Sequence, residues 1–343
     1  MTFQITVEPS GRSFTTDSDE TILLAAIRQG VGLPYGCKDG ACGSCKCRLV
    51  AGEVRMDDYQ AKALSAQESA SGLVLTCRAR PLSDVTLESK QVTAADALPV
   101  RKMPVRVSAL ERLGDDVMRM RLQLPAAEAF TYHAGQYVEF ILRDGARRSY
   151  SMANAAHTQP DVGGIELHIR HMPGGKFTDA VFNDLKEKAI LRIEGPFGSF
   201  YLREESEAPM VFLASGTGFA PIKALLEYMQ LIGCTRPTTV YWGGRRPQDL
   251  YLHDWMSTTA VNMPNVTYIP VVSEALAEDQ WSGRQGFVHR AVMDDFQDLS
   301  GYEVYACGAP IVVNSARDDF TQLRGLNADA FYADAFTSAA DAA

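Results

Sequence analysis

Pro34-Tyr-Gly-Cys-Lys-Asp-Gly-Ala-Cys-Gly-Ser-Cys45 sets Cys37, Cys42 and Cys45 at the spacing C-x4-C-x2-C, and Cys77 follows about thirty residues on. This is a thiolate set for a 2Fe-2S cluster, a one-electron carrier. Small residues at Gly36, Gly40 and Gly43 let the loop wrap closely and aim backbone N–H groups at sulfur. Zinc is the rival metal, because Cys42-x2-Cys45 alone is half a zinc knuckle. A structural zinc site, however, usually brings a second close pair, and Cys77 stands alone. Cys47, on what reads as the outgoing strand Cys47-Arg-Leu-Val50, fits a small buried thiol better than a ligand.

Around this loop, residues 1–90 read as a small α+β domain. Strands are expected at 3–7 and 13–16, a helix at 21–29 ending on Gly30, strands at 47–50 and 73–76 flanking a helix at 57–66, and a last strand at 85–88. Residues 91–102 are small and weakly patterned and contain Pro99, as a linker does. Residues 103–207 are strand-rich, with apolar alternation at 105–110, 117–124, 137–142, 165–170 and 189–194, which predicts an antiparallel barrel. From 208 to 343 the period changes to strand 211–214, a Gly-rich turn, helix 221–231, strand 239–242, helix 250–258 and strand 266–272. That alternation predicts a parallel α/β sheet with its ligand at the strand C-terminal ends.

Arg147-Arg-Ser-Tyr-Ser151 offers a cation at Arg148, hydroxyls at Ser149 and Ser151 and an aromatic face at Tyr150, which are the needs of a flavin nucleotide. Alone it reads equally well as a surface arginine beside a strand tyrosine. Ile165-Glu-Leu-His-Ile-Arg170, which brings His168 and Arg170, runs into Pro173-Gly-Gly-Lys-Phe-Thr178. There Gly174, Gly175, Lys176, Phe177 and Thr178 form a turn opening a helix, a seat for a pyrophosphate. Both halves of FAD are thereby provided for. Leu213-Ala-Ser-Gly-Thr-Gly-Phe-Ala-Pro-Ile222 is a strand followed by Gly216-x-Gly218 and a helix start, again with amides for phosphate. Its bland alternative is a tight turn that needs glycine for packing. Val304-Tyr-Ala-Cys-Gly-Ala-Pro310 ends a second strand on Cys307, by default a buried structural cysteine.

Composition narrows the class. The 343 residues suffice for two or three domains, and 46% hydrophobic content is ordinary for a globular chain. With 42 acidic and 33 basic residues the net charge is -9, against a nucleic-acid partner and without a basic membrane anchor. Residues 208–343 hold 15 acidic and 8 basic side chains, so most of the excess lies there. No apolar run approaches the ~18 residues of a membrane span, and the opening Met1-Thr-Phe-Gln-Ile-Thr-Val alternates like a strand rather than a signal peptide. With Cys47, Cys234 and Cys307 scattered, a reducing cytoplasmic location is expected.

Taken together, these motifs resemble across essentially the whole chain the reductases that fuse an N-terminal plant-type ferredoxin to a ferredoxin-NADP reductase-like module. Tyr241-Trp-Gly-Gly, Phe287-Val-His-Arg-Ala-Val, Tyr305-Ala-Cys-Gly-Ala-Pro and Phe331-Tyr-Ala-Asp-Ala-Phe336 bring it near the CDP-6-deoxy-glucoseen reductases of deoxysugar synthesis. The resemblance implies a β-grasp ferredoxin domain at 1–90, a linker at 91–102, an antiparallel β-barrel FAD domain at 103–207 and an α/β nicotinamide domain at 208–343. It further implies that Arg148, Tyr150 and Ser151 contact the FAD phosphate, ring and N5. Gly216, Thr217, Gly218, Ala220, Pro221, Cys307 and Gly308 would line the nicotinamide nucleotide site, Phe336 would gate the flavin, and Asp334 would join Ser151 and Cys307 beside N5. Ala309 departs from the proline of many relatives, with no chemical consequence. The implied activity is NAD(P)H-dependent reduction, passed through FAD and the cluster to a protein acceptor such as a pyridoxamine-phosphate sugar dehydrase. An oxygenase reductase component, a stand-alone flavin reductase and a non-catalytic carrier are the alternatives. Arg245 and Arg246 could hold a 2′-phosphate or be solvated; NADH is the preferred coenzyme and a monomer the expected state.

Overall fold

A computed structural model describes residues 1–92, 98–126 and 129–337. Its contacts form two compact units, one of residues 1–99 with Gly198–Phe200 and the residues from Asp334, the other of Val100–Phe197 and Tyr201–Ala333.

The first unit carries β1 (Thr2–Glu8), β2 (Arg12–Asp17), α1 (Ile22–Arg28), β3 (Lys46–Ala51), β4 (Val54–Met56), α2 (Ala66–Ala70), β5 (Leu73–Leu75), β6 (Ala79–Pro81) and β7 (Val85–Glu88). Five strands make a sheet in the order β2-β1-β7-β3-β5, with β1 and β7 parallel. Ile5, Val7, Val85 and Leu87 turn one face of that central pair into the core, where α1 lays Ile22, Leu23, Ala25 and Ala26. Fully burying one such Ile or Leu contributes about 1.5–3 kcal/mol. Thr21 caps α1 by accepting from Leu24 N. This α+β arrangement is the β-grasp anticipated for the cysteine loop. One element moves. The helix expected at 57–66 forms instead as α2, because Ser65-x-x-Glu68 is a capping box in which Glu68 N donates to Ser65 Oγ and Ser65 N to Glu68. The preceding residues are held open by other partners: Asp57 pairs with Arg80 at 2.7 Å, and Gln60 N donates to Gly40 O.

The second unit begins with an antiparallel barrel: β8 (Arg101–Arg112), β9 (Val117–Gln123), β10 (Tyr137–Ile141), β11 (Arg147–Ser151), α3 (Gln159–Val162), β12 (Ile165–Arg170), α4 (Lys176–Asn183) and β13 (Ile190–Phe197). The order β11-β10-β13-β8-β9-β12 closes through a bridge between Met152 and Leu167. Of the expected linker, residues 93–97 lie outside the described residues, and Arg101 and Lys102 already belong to β8. The Arg147–Ser151 motif is itself a strand, paired with β10.

The parallel sheet comprises β14 (Met210–Ser215), α5 (Phe219–Leu231), β15 (Thr238–Gly244), α6 (His253–Asn262), β16 (Val266–Val272), β17 (Arg284–Gln285), α7 (Val288–Asp295), β18 (Glu303–Gly308), α8 (Pro310–Leu323) and β19 (Phe331–Ala335). The helix expected from 250 starts three residues later, at His253, after a turn. The strand order β17-β16-β15-β14-β18-β19 reverses direction between β14 and β18. A nucleotide binds at such a switch point, beyond the strand C-termini.

Candidate functional site

Cys37, Cys42 and Cys45 lie on the loop between α1 and β3, and Cys77 follows β5. Their sulfurs fall in two pairs: Cys45 Sγ and Cys77 Sγ are 3.2 Å apart, and Cys37 pairs with Cys42. Backbone N–H groups of Cys37 and Ser44 donate to Cys42 Sγ at 3.4 and 3.5 Å. The Cys37 thiol, followed by those amides, brings Cys42 down to about 5 against its burial. Cys77 is pushed up, first by Cys45 and then by burial. Among the described residues no three acidic, Cys or His side chains gather on a single ion. Two sulfur pairs with amides aimed at sulfur fit a two-iron cluster, whereas zinc requires four donors around one point. Cys47 is buried on β3, its thiol pushed up to about 12 by that burial, as a structural cysteine would be.

On the barrel, Tyr150 packs against Phe177 at 5.4 Å and Phe140 at 5.8 Å, which joins β11 to the first turn of α4. Arg148 and Tyr150 share one face of β11, while Ser149 is exposed and Ser151 buried. Gly175 begins α4 without a side-chain cap, and Thr178 Oγ1 donates to Met172 O at 2.9 Å, shaping the Gly174–Gly175 turn. Lys176 lies in solvent, paired with Asp144. An uncapped helix start beside an aromatic platform fits a flavin nucleotide and its pyrophosphate.

His168 and Arg170, one turn of strand further along β12, face elsewhere. His168 is buried between Glu166 and Tyr251, with Nε2 3.1 Å from Glu166 Oε1 and Nδ1 3.0 Å from the Tyr251 hydroxyl. Burial holds the imidazole below its ordinary value, against the opposing pull of Glu166. Burial would also raise Glu166, but His168 and Lys223 outweigh it and hold the carboxyl at about 2. Neutral His168 therefore donates from Nε2 to the carboxylate and accepts from Tyr251 at Nδ1. Lys223 on α5 completes the cluster, 2.6 Å from Glu227, 3.4 Å from Glu166, and donating to Ala153 O. Arg170 pairs with Asp116 at 2.7 Å and lies beside Gly216.

At the switch point the two glycine turns touch. A Cβ on Gly218 would stand 2.2 Å from Cys307 O, and one on Gly308 2.4 Å from Ser215 O, so no side chain fits at either position. Ser215 Oγ accepts from Ala309 N at 2.9 Å, tying β14 to β18. Thr217, Pro221 and Cys307 are buried beside this contact. Trp242 supports the turn from β15: its indole N–H donates to Gly216 O at 3.0 Å and its ring stacks on Phe219 at 3.8 Å. Such a close pair of backbone turns fits a nicotinamide dinucleotide. Asp334 is buried and Phe336 partly buried, and both belong to the first compact unit.

Comparison with known proteins decides the family. The profile of the 2Fe-2S iron-sulfur cluster binding domain matches residues 5–82, that of the oxidoreductase FAD-binding domain 104–201, and that of the oxidoreductase NAD-binding domain 212–318. A CDP-6-deoxy-L-threo-D-glycero-4-hexulose-3-dehydrase reductase of Yersinia pestis is 40% identical over 336 residues, covering 98% of this chain and 99% of its own. The chain belongs to the iron-sulfur flavoprotein reductases. The phenol hydroxylase P5 protein of Acinetobacter pittii, 34% identical, covers 100% of this reductase and 97% of itself. The crystal structure of an Amycolatopsis cytochrome P-450 reductase matches with a TM-score of 0.77 at 33% identity, over 98% of this chain and 99% of that one. The reductase is thus an NAD(P)H-dependent oxidoreductase that carries electrons from nicotinamide through FAD and a 2Fe-2S cluster to a partner protein. Among the described residues no helix is long and apolar enough to cross a membrane.

Trp242, Lys223, Glu166 and Tyr251 were not singled out from sequence. Trp242 stood inside the quoted Tyr241-Trp-Gly-Gly stretch, and that was its only signal. Glu166 stands inside Ile165–Arg170, and the cluster it forms with Lys223 and Tyr251 depends on elements far apart in the chain.

Proposed function

We propose that the reductase serves the dehydrase of a CDP-6-deoxy-sugar system, using NADH, as a cytoplasmic monomer. The support is similarity to the Yersinia pestis dehydrase reductase over nearly the whole of both chains, above that to the oxygenase components. Residues 1–90, 103–207 and 208–343 are the working domains of this reading. FAD, when bound, takes the electron pair of a hydride and the 2Fe-2S cluster accepts electrons singly, so the two in series convert one currency into the other.

Cys37, Cys42, Cys45 and Cys77 would hold the cluster, with the amides of Cys37 and Ser44 steadying the sulfur of Cys42. Arg148, Ser149, Tyr150 and Ser151 orient the flavin and Gly174, Gly175, Lys176, Phe177 and Thr178 seat its pyrophosphate. Gly216, Thr217, Gly218 and Pro221 receive the nicotinamide nucleotide, with Arg170 beside Gly216 as a cation for its phosphates. Ser151 and Cys307 line the hydride path. His168 acts behind this site, holding Glu166 and Tyr251 in place.

A second reading, the reductase of an oxygenase, is favoured by the structural match to the Amycolatopsis reductase. Reconstitution separates the two. The purified reductase with NADH and a pyridoxamine-phosphate-dependent CDP-6-deoxy-hexulose 3-dehydrase should yield deoxygenated sugar nucleotide. Turnover of an oxygenase component with no sugar product would overturn the assignment.

A further inference from the structure

Arg246 stands two residues beyond β15, the strand beside β14, where a parallel α/β sheet presents its residues to the adenosine ribose. A guanidinium at that place is the usual means of accepting a 2′-phosphate. Here it is already engaged. Nε donates to Asp279 Oδ2 at 2.7 Å and Nη2 to Asp279 Oδ1 at 2.6 Å, a two-point clamp, while Nη2 also reaches Glu278 Oε1 at 3.2 Å. The clamp is built into the fold: Asp279 is 10% exposed, and its carboxylate also accepts from Leu276 N at 2.9 Å, closing the turn that follows β16. Asp249 accepts from the backbone N–H groups of both Arg245 and Arg246, fixing the loop from the other side. Arg245 reaches into solvent, its nearest carboxylate Asp249 at 3.9 Å. Arg170 also reaches Asp249, at 3.7 Å, and is itself paired with Asp116, so three arginines face four carboxylates and a 2′-phosphate dianion arriving there would meet a net negative loop.

Resting on the NADH reading above, we propose that Asp279 and Glu278 determine coenzyme choice by sequestering Arg246 from the adenosine ribose. Neutralising the two carboxylates frees the guanidinium to hold a 2′-phosphate and admits NADPH. The loop keeps its shape in the neutral pair, because an asparagine carbonyl at 279 still accepts from Leu276 N.

The test uses the full-length FAD-loaded, cluster-loaded protein and calorimetric binding of 2′,5′-ADP and 5′-AMP. The wild type should bind 2′,5′-ADP no more tightly than 5′-AMP. The Glu278→Gln/Asp279→Asn variant should bind 2′,5′-ADP about tenfold more tightly than the wild type, with 5′-AMP binding unchanged and kcat/KM for NADPH raised in parallel. Adding Arg246→Ala should erase the gain, and adding Arg245→Ala should leave it. The inference is overturned if the double variant shows no gain while retaining FAD and 5′-AMP binding, or if the gain survives Arg246→Ala. A wild type that already prefers 2′,5′-ADP and NADPH would refute the NADH reading itself, whatever the variant does.

Discussion

Replacing Lys223 by methionine keeps the length and apolar stem of the side chain and removes only its charge. In the folded protein that ammonium is 7% exposed and compensates Glu166, 2% exposed, and Glu227, 15% exposed. Removing one partner of a buried ion pair costs about 3–5 kcal/mol, and the lower end applies here because Arg121 still stands 3.4 Å from Glu166. At roughly 2–4 °C per kcal/mol for a body of this size, the unfolding midpoint should fall by about 10 °C. The deficit should depend on pH in a definite direction. Glu166 is held at about 2, below its ordinary value, so its stabilisation is fully present above the unfolded carboxylate range and is lost as pH falls through the folded value. Without Lys223 the folded Glu166 takes a proton more readily, so the gap between variant and wild type should narrow on going from neutral pH to about pH 5. Calorimetric scans of the FAD-loaded proteins at several pH values measure this. A midpoint within about 2 °C of the wild type, or a deficit that does not change with pH, would refute the compensation assigned to Lys223.

Cys77→Ser should abolish cluster assembly and leave FAD in place, measured as iron per chain against flavin per chain; a full cluster in that variant would bring Cys47 back as a ligand. Gly218→Ala puts a methyl 2.2 Å from Cys307 O, so the two turns must part. We expect flavin reduction by NADH to slow at least tenfold with FAD content unchanged, followed by rapid mixing, and an unaltered rate would show that the contact between the turns is dispensable.

Much of the fold was legible because it is written in local signals. The cysteine spacing, the Gly216-x-Gly218 turn after an apolar strand, and the alternation at 165–170 each occupy a short stretch, and β7, β12 and β16 fall where their patterns put them. What sequence hid is of two kinds. Local signals competed at 57–70, where weak helical periodicity lost to the Ser65–Glu68 capping box. Elsewhere the partner was distant. In β12 the polar residues Glu166 and His168 alternate with Ile165, Leu167 and Ile169, the pattern of a strand with one wet face, yet both are buried because α5 and Tyr251 cover them. His168 looked like a cofactor contact for the same reason: besides Glu166, two residues before it on β12, its partner is Tyr251, far along the chain. Likewise the two arginines after β15 could be phosphate holders or solvated side chains on sequence alone, and only the turn after β16 brings Asp279 against one of them.

The central claim is that electrons leave nicotinamide as a pair and reach the partner singly, through the N-terminal cluster. Its most direct test is the full-length Cys42→Ser protein, checked to hold FAD, mixed with NADH and then with ferricyanide, cytochrome c or the native acceptor. Flavin reduction and ferricyanide turnover should continue at the wild-type rate, while reduction of cytochrome c and of the native acceptor should collapse. If the Cys42→Ser protein lacks the cluster and still reduces the native acceptor as fast as the wild type, the ferredoxin domain is not the exit and the flavin delivers electrons directly.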